Sequence, residues 1–344
     1  MAQAMIAMSG GVDSSVAAYL TMEQGLTCCG GTMLLWDKNP ESTGDAQAVC
    51  ARLGIPFHIF DAAQMFRKQV VEPFIAAYEE GLTPNPCFRC NCHLKFSWLL
   101  DRALELGCQY VVTGHYARIR QEGDRFLLYA APNRAKDQSY FLAGLNQHQL
   151  SHTLFPLGEL TKEQVRTIAE QQGFLNARKK DSQDICFIPD GDYKAFMEAY
   201  SGKTYPKGDF LDETGNIVGQ HSGAVGYTLG QRKGLGLAMG KPVYVCGKDM
   251  ASNTVIVGDE SLLFAKTLWA ENCNFIPFDK LSAPLRVTAK ARSRHGAQPA
   301  TVYPEGQEIR VEFDEAQRAI TPGQAVVLYD GDLVVGSGTI TKAK

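Results

Sequence analysis

Met5-Ile6-Ala7-Met8-Ser9-Gly10-Gly11-Val12-Asp13-Ser14-Ser15 is an apolar run, a glycine pair and a serine-flanked acid, followed by a helical stretch carrying Val16, Ala17 and Leu20. The run reads as a strand, Gly10 and Gly11 as a tight turn, and the remainder as the opening of a helix. Two glycines let an anion approach the backbone, and free N–H groups point outward where the helix begins. Ser14 and Ser15 add hydroxyl donors, so a polyphosphate fits the cradle. Asp13 would repel phosphate unless a divalent cation lies between them, which assigns it to Mg²⁺. A bare Ser-Gly-Gly is more simply a capped turn, but the full seven-residue string favours the nucleotide.

Further apolar runs at Thr27 to Trp36, Phe57 to Asp61 and Tyr110 to Thr113 alternate with helical segments, the clearest having Phe96, Leu99, Leu100, Ala103 and Leu104 on one face. Strands spaced by helices imply a mostly parallel sheet. Thr161 and Gln164 read as a capping box, Val165, Ile168 and Ala169 as a buried face, and Gly173 as the stop. From about Lys203 the pattern becomes short β-branched runs broken by glycine: Pro242 to Cys246, Thr254 to Val257, Arg286 to Ala289, Glu308 to Phe313 and Ala325 to Tyr329. Those runs signal small barrels or sandwiches. The expected fold is α/β, a parallel-sheet nucleotide-binding domain over residues 1–200 followed by two small β-rich domains, 201–275 and 276–344.

The chain has 344 residues, 45% hydrophobic and 21% charged, which excludes disordered and fibrous classes. No apolar run nears the roughly 18 residues of a spanning helix, and no signal peptide is evident, so the expected location is cytoplasmic, without a membrane partner. A net charge of −3 gives no global basic field, so a nucleic-acid site must be a local patch. Ten cysteines are too sparse for a disulfide scaffold. Ser201-Gly202-Lys203-Thr204 imitates the end of a Walker loop, but Met197 stands where its first glycine belongs. Gly234, Gly236 and Gly240 miss the dinucleotide spacing and read as a flexible loop.

Two cysteine strings stand out. Thr83-Pro84-Asn85-Pro86-Cys87-Phe88-Arg89-Cys90-Asn91 joins two prolines to a Cys-x-x-Cys, where Arg89, Lys95 and the following helix start are expected to lower a thiol pKa. No second such pair exists to complete a zinc site, although Cys92 and His93 lie nearby. Cys186, in Lys180-Asp181-Ser182-Gln183-Asp184-Ile185-Cys186-Phe187, reads as a partly exposed thiol on a loop. Cys28, Cys29, Cys50, Cys108, Cys246 and Cys273 read as apolar filler.

Ser9 to Ser15 resembles the pyrophosphate loop of the ATP pyrophosphatases, a class that also includes amidotransferases and argininosuccinate synthase. Thr83 to Asn91, Thr113-Gly114-His115-Tyr116-Ala117-Arg118, Lys136-Asp137-Gln138-Ser139-Tyr140-Phe141, Lys180 to Phe187 and Gly230-Gln231-Arg232-Lys233-Gly234-Leu235-Gly236 narrow the resemblance to the bacterial tRNA 2-thiouridylase family, over essentially the whole chain. The resemblance implies Cys90 as nucleophile and Cys186 as persulfide carrier. It implies that ATP meets Ala7, Met8, Ser9, Gly10, Gly11, Val12, Asp13, Ser14, Met33 and Gly114. Asn85, Pro86 and Cys87 would contact the target base, and His115, Lys136, Asp137, Gln138, Arg292, Ser293 and Gln324 would lie near the tRNA. A sulfur-donor protein is the further expected partner, and DNA is not.

The implied chemistry suits these residue types: ATP turns a poor leaving oxygen into an adenylate, and sulfur then displaces AMP. Many relatives carry aspartate where this chain has Cys87. That departure opens a second reading, in which Cys87, Cys90 and Cys186 hold an iron-sulfur cluster. Ser293 replaces a tyrosine often found there. For RNA, Gly215 to Lys248 lacks acids but holds Arg232, Lys233, Lys241 and Lys248; Pro284 to Pro299 lacks acids and holds Arg286, Lys290, Arg292, Arg294 and His295. Alternation is expected to put Lys290, Arg292 and Arg294 on one strand face. The competing readings are another adenylating ATP pyrophosphatase, such as an amidotransferase, and a noncatalytic RNA-binding module with a metal or cluster.

Overall fold

A computed structural model describes residues 2–36, 40–179 and 185–344. Its N-terminal half contributes β1 (Ala4–Ala7), β2 (Cys28–Leu34), β3 (Phe57–Asp61), β4 (Tyr110–Val112), β5 (Ala117–Glu122), β6 (Arg125–Ala130) and β7 (Thr153–Leu154). Five of these form one sheet in the order β3-β2-β1-β4-β7, with every neighbouring pair parallel. Ala4, Met5 and Ile6 are fully buried because helices cover both faces of the sheet. The chain leaves β1 outward to β2 on one side and returns to β4 on the other. The crevice of a parallel sheet lies at that reversal, beyond the carboxyl ends of the strands. The glycine turn sits there, between β1 and the helix Val12–Glu23.

The expected helix signals hold. Thr161 and Gln164 form a reciprocal capping box at the head of the helix Lys162–Gln171, and Gly173 ends the segment with a positive φ of 63°. Phe96, Leu99, Leu100 and Ala103 are buried along one face. The described part of the chain has no helix long and apolar enough to cross a membrane.

A second sheet joins β8 (Gly208–Leu211), β9 (Ile217–His221), β10 (Tyr244–Asp249) and β11 (Thr254–Gly258) in the order β10-β11-β8-β9, with β11 and β8 parallel and the other pairs antiparallel. The third contains β12 (Phe264–Phe275), β13 (Leu285–Lys290), β14 (Gln298–Glu305), β15 (Glu308–Arg318), β16 (Ala325–Asp330) and β17 (Leu333–Ala343). Because β12 pairs with both β15 and β17, these six antiparallel strands close on themselves. Val302, Val311, Phe313, Val326 and Leu328 fill the interior. Residue 275, where the sequence reading set its last division, is the final residue of β12.

One feature runs against sequence order. The β5–β6 hairpin extends the third sheet, through the pairing of Tyr129 with Leu333 on β17. Its buried face, Leu128 and Ala130, shares a core with Tyr140, Val327, Tyr329 and Val334, so apolar burial fastens the C-terminal barrel to the nucleotide domain.

Candidate active site

The glycine turn is built as expected, but its side chains are largely spent on one another. Gly10 has a φ of 71°, and a Cβ on Gly114 would come within 2.7 Å of the Asp13 backbone carbon, so the loop after β4 must pass close to the helix start. Ser14 Oγ donates to the Gly11 carbonyl at 3.0 Å and Ser15 Oγ does the same at 3.1 Å. Ser15 is fully buried and also accepts from Asn176 Nδ2 at 2.9 Å. This corrects its expected role as a phosphate donor. The outward anion ligands that remain are the backbone N–H groups at the helix start.

Asp13 also differs from expectation. Lys162 Nζ donates to its two carboxylate oxygens at 2.7 and 2.9 Å, and Tyr116 Oη donates to Oδ1 at 2.8 Å. Lys162 is buried on the first turn of its helix. Among the described residues no three His, Cys, Asp or Glu side chains gather at metal-ligand spacing. A magnesium seat built by the protein therefore does not fit this donor set, and Mg²⁺ arriving on ATP would belong to the substrate. Asn176 holds the loop from the other side, donating to the Gly10 carbonyl at 3.1 Å. Sequence reasoning missed Lys162, Tyr116 and Asn176. The readable signal was Lys162 itself, a cation at a helix start, where the dipole disfavours it.

The second half of the site is a helix begun by Asn85, whose side chain accepts from Phe88 N at 3.1 Å, with Pro86 in the first turn. Cys87 is exposed and Cys90 buried. Cys90 shares an apolar cluster with Leu94, Phe187 and Ile188, and Ile185 packs against it, so the residues on both sides of Cys186 dock where Cys90 lies. Phe187 anchors the docking, with its ring 5.5 Å from Phe66 and 5.4 Å from Phe74. Cys186 itself is exposed. Lys180 to Asp184 of the same string lie outside the described residues.

The thiols are not acidified, contrary to expectation. Burial pushes Cys90 and Cys87 up, and pushes Cys186 up to about 11 through burial and then the neighbouring Cys90 and Cys87; Lys95 opposes the shift at all three without prevailing. Arg89 is turned away, its Nε donating to the Gln69 carbonyl at 3.0 Å. Local charge was legible in the sequence; desolvation was not. Among the described residues Cys87, Cys90 and Cys186 do not form a group at metal-ligand spacing.

Against this geometry, residues 2–190 match the family described as the tRNA methyl transferase HUP domain, 194–259 its PRC-barrel domain, and 265–340 an aminomethyltransferase beta-barrel domain. The chain is 46% identical to the tRNA-specific 2-thiouridylase MnmA of Clostridioides difficile and 46% identical to that of Acetivibrio thermocellus, in each case over 98% of both chains. It is 45% identical to that of Clostridium botulinum strain Alaska E43, over 98% of this chain and 97% of the relative. The chain belongs to the tRNA-specific 2-thiouridylase family.

The residues that the thiouridylase resemblance puts beside RNA have, in part, internal duties. Gln138 Oε1 accepts from Tyr116 N at 2.9 Å, Asp137 accepts from Ala131 N, Ser139 N and Ser139 Oγ, and Gln324 Nε2 donates to the Thr83 carbonyl at 2.9 Å. His115 packs against both Phe96 and Phe155, with Nδ1 2.7 Å from Thr113 Oγ1, and burial drives its pKa well below the ordinary range. The cation alternation is corrected: β13 ends at Lys290, and Arg292 and Arg294 lie in a turn that His295 N closes onto the Arg292 carbonyl. Arg292 Nη2 donates to the Leu229 carbonyl and to Thr321 Oγ1, which draws it off the strand line. Arg286 is paired with Asp314. Arg232, Lys233, Lys241 and Arg294 remain exposed.

Proposed function

We infer that this chain is an ATP-dependent tRNA uridine 2-sulfurtransferase acting at the wobble position. The observation that carries the reading is the docking of the Cys186 segment onto the cluster that holds Cys90, in a chain whose first strand opens into an anion-binding helix start. The uracil O2 attacks the α-phosphorus of ATP, pyrophosphate leaves, and the base becomes an O-adenylate. The terminal sulfur of a Cys186 persulfide then attacks C2, and AMP departs with the oxygen. Cys90, as thiolate, attacks Cys186 Sγ; the sulfur-sulfur bond breaks, sulfur stays on C2, and a Cys90–Cys186 disulfide remains for a reductant.

The residues divide this work. Backbone N–H groups at the loop receive the polyphosphate, while Lys162 and Tyr116 hold Asp13 and keep the loop preorganised. Gln324 clasps the Thr83–Pro84 backbone and fixes the approach to Asn85, Pro86 and Cys87. Burial raises the Cys90 pKa and Lys95 opposes it, so Lys95 is the cation beside which the thiolate forms. Exposed cations on the loops and turns of the two β-rich domains supply phosphate contacts, and the base must leave its stack to reach the thiols. Sulfur reaches Cys186 from a donor protein.

The test supplies purified protein with ATP, Mg²⁺, unmodified tRNA and a persulfide source. AMP, pyrophosphate and 2-thiouridine are expected in equal amounts. Cys186→Ser should still release pyrophosphate but form no 2-thiouridine; full thiolation by that variant would overturn the persulfide route.

A further inference from the structure

The exposed Cys87 has no part in that sequence of steps, yet it stands one helical turn from Cys90, on the same short helix and open to solvent. Residues three apart on a helix are neighbours, with Cβ atoms about 5–6 Å apart, and a slight opening of the first turn brings them into disulfide range. Cys90, by contrast, is only 7% exposed. A reductant from solution meets a Cys90–Cys186 disulfide only at Cys186, the same sulfur that a donor must reload.

We propose that Cys87 is a resolving thiol, which takes over the disulfide from Cys186 after each sulfur transfer and presents it to reductant as a Cys87–Cys90 bond. This inference rests on the persulfide reading above. Cys87 loses its proton to solvent and its thiolate attacks Cys90 Sγ. The Cys87–Cys90 bond forms, the Cys90–Cys186 bond breaks, and the electron pair leaves on Cys186, which is reprotonated. No net oxidation occurs in this exchange. An external dithiol then donates two electrons and two protons at the exposed Cys87 sulfur and is itself oxidised to a disulfide.

Two features support the pairing order. Cys186 interacts electrostatically with both Cys90 and Cys87, and Cys90 with Cys87, so each of the two exchanges joins sulfurs that are already neighbours. Lys95 acts on Cys87, Cys90 and Cys186 alike, in each case favouring the thiolate, so whichever sulfur carries the charge meets the same ammonium. The relay also separates two surfaces: Cys186 is free for sulfur loading while Cys87 and Cys90 await reduction.

The test loads wild-type enzyme at Cys186 with persulfide, removes free sulfur, and adds ATP, Mg²⁺ and tRNA without reductant. After one turnover, free thiols are alkylated and the disulfide is mapped by peptide mass spectrometry. A Cys87–Cys90 disulfide with alkylated Cys186 is expected. A Cys90–Cys186 disulfide with alkylated Cys87, alongside newly made 2-thiouridine, would overturn the relay and leave the persulfide reading intact. Thiolation without any disulfide would overturn both. Cys87→Ser should trap the Cys90–Cys186 bond and, with limiting dithiothreitol, lower the ratio of later turnovers to the first on the order of tenfold; an unchanged ratio would also count against the proposal.

Discussion

The nucleotide loop and the two β-rich domains both bury cations, but they neutralise them differently. In the loop, Lys162 is buried against a carboxylate that also accepts from Tyr116. In the two β-rich domains, Lys248 on β10, Lys290 at the end of β13 and Arg292 in the turn after it are partly or largely buried, and among the described residues none makes an ion pair. Burial pulls all three pKa values down, Lys248 to about 8. The contrast teaches where each half finds its counter-charge. The loop carries its own counter-charge, whereas among the described residues Lys248 and Arg292 have no carboxylate paired with them and Lys290 feels only the longer-range pull of Asp137.

Removing the internal pair should have the largest effect. Lys162→Met leaves the Asp13 carboxylate uncompensated beside incoming phosphate. Pyrophosphate release should fall by roughly 10²-fold or more, as when one preorganised charge is lost from an active site. Stability should drop by about 1–3 kcal/mol, below the full cost of breaking a buried pair because Asp13 is partly exposed. Asp13→Asn combined with Lys162→Met tests the coupling. If the double variant is no more stable than the sum of the single changes allows, the two halves do not differ in the way described.

Lys248→Met probes the opposite case. Among the described residues the ammonium has no hydrogen-bond partner, and it faces the Tyr78 ring at 5.9 Å. Its native pKa, about 8, lies below the ordinary lysine value of 10.5. Below pH 8 both folded and unfolded chains hold the proton, and the burial penalty is full. Between pH 8 and 10.5 the unfolded chain holds more protons, so wild-type stability rises with pH through this lysine. The methionine variant should gain roughly 2–3 kcal/mol at pH 7, and the gain should vanish above pH 10.5. Denaturant unfolding at pH 7 and pH 10.5 measures it, and a variant destabilised at pH 7 would contradict the uncompensated charge.

What was legible follows the range of the interaction. The glycine turn, the Thr161–Gln164 capping box and the buried face from Phe96 to Ala103 are local, and each was readable from a few residues. The partner of Asp13 lies 149 residues away, and no local pattern carries that distance. The β5–β6 hairpin joins the third sheet for the same reason: its register is fixed by β17, far along the chain. The strand expected to hold Arg292 and Arg294 failed because alternation cannot reveal that Leu229 and Thr321 capture a guanidinium. At the thiols, neighbouring cations were visible and the burial that outweighs them was not.

Exposed cations should matter less than buried ones. Arg232 and Lys233 lie on the loop after Gly230, and among the described residues they form no ion pair. Replacing both with alanine should weaken tRNA binding by about tenfold and flatten the slope of log affinity against log salt by about 1.5–2. Binding measured from low to moderate salt gives both values. An unchanged slope would place the RNA on another face and remove one side of the comparison.

The smallest effect returns to the loop. Thr161 caps the helix whose first residue is Lys162, accepting from Gln164 N at 3.3 Å while Gln164 Oε1 accepts from Thr161 N at 2.7 Å. Thr161→Ala removes one cap and should cost about 1 kcal/mol. Because the cap also sets the backbone from which Lys162 reaches Asp13, pyrophosphate release should slow several-fold, whereas the distant RNA surface should keep its affinity and salt slope. If stability falls by the expected amount but adenylation is unmoved, the Lys162–Asp13 pair holds its geometry without the helix start. The ion pair alone, not the helix that delivers it, would then preorganise the nucleotide loop.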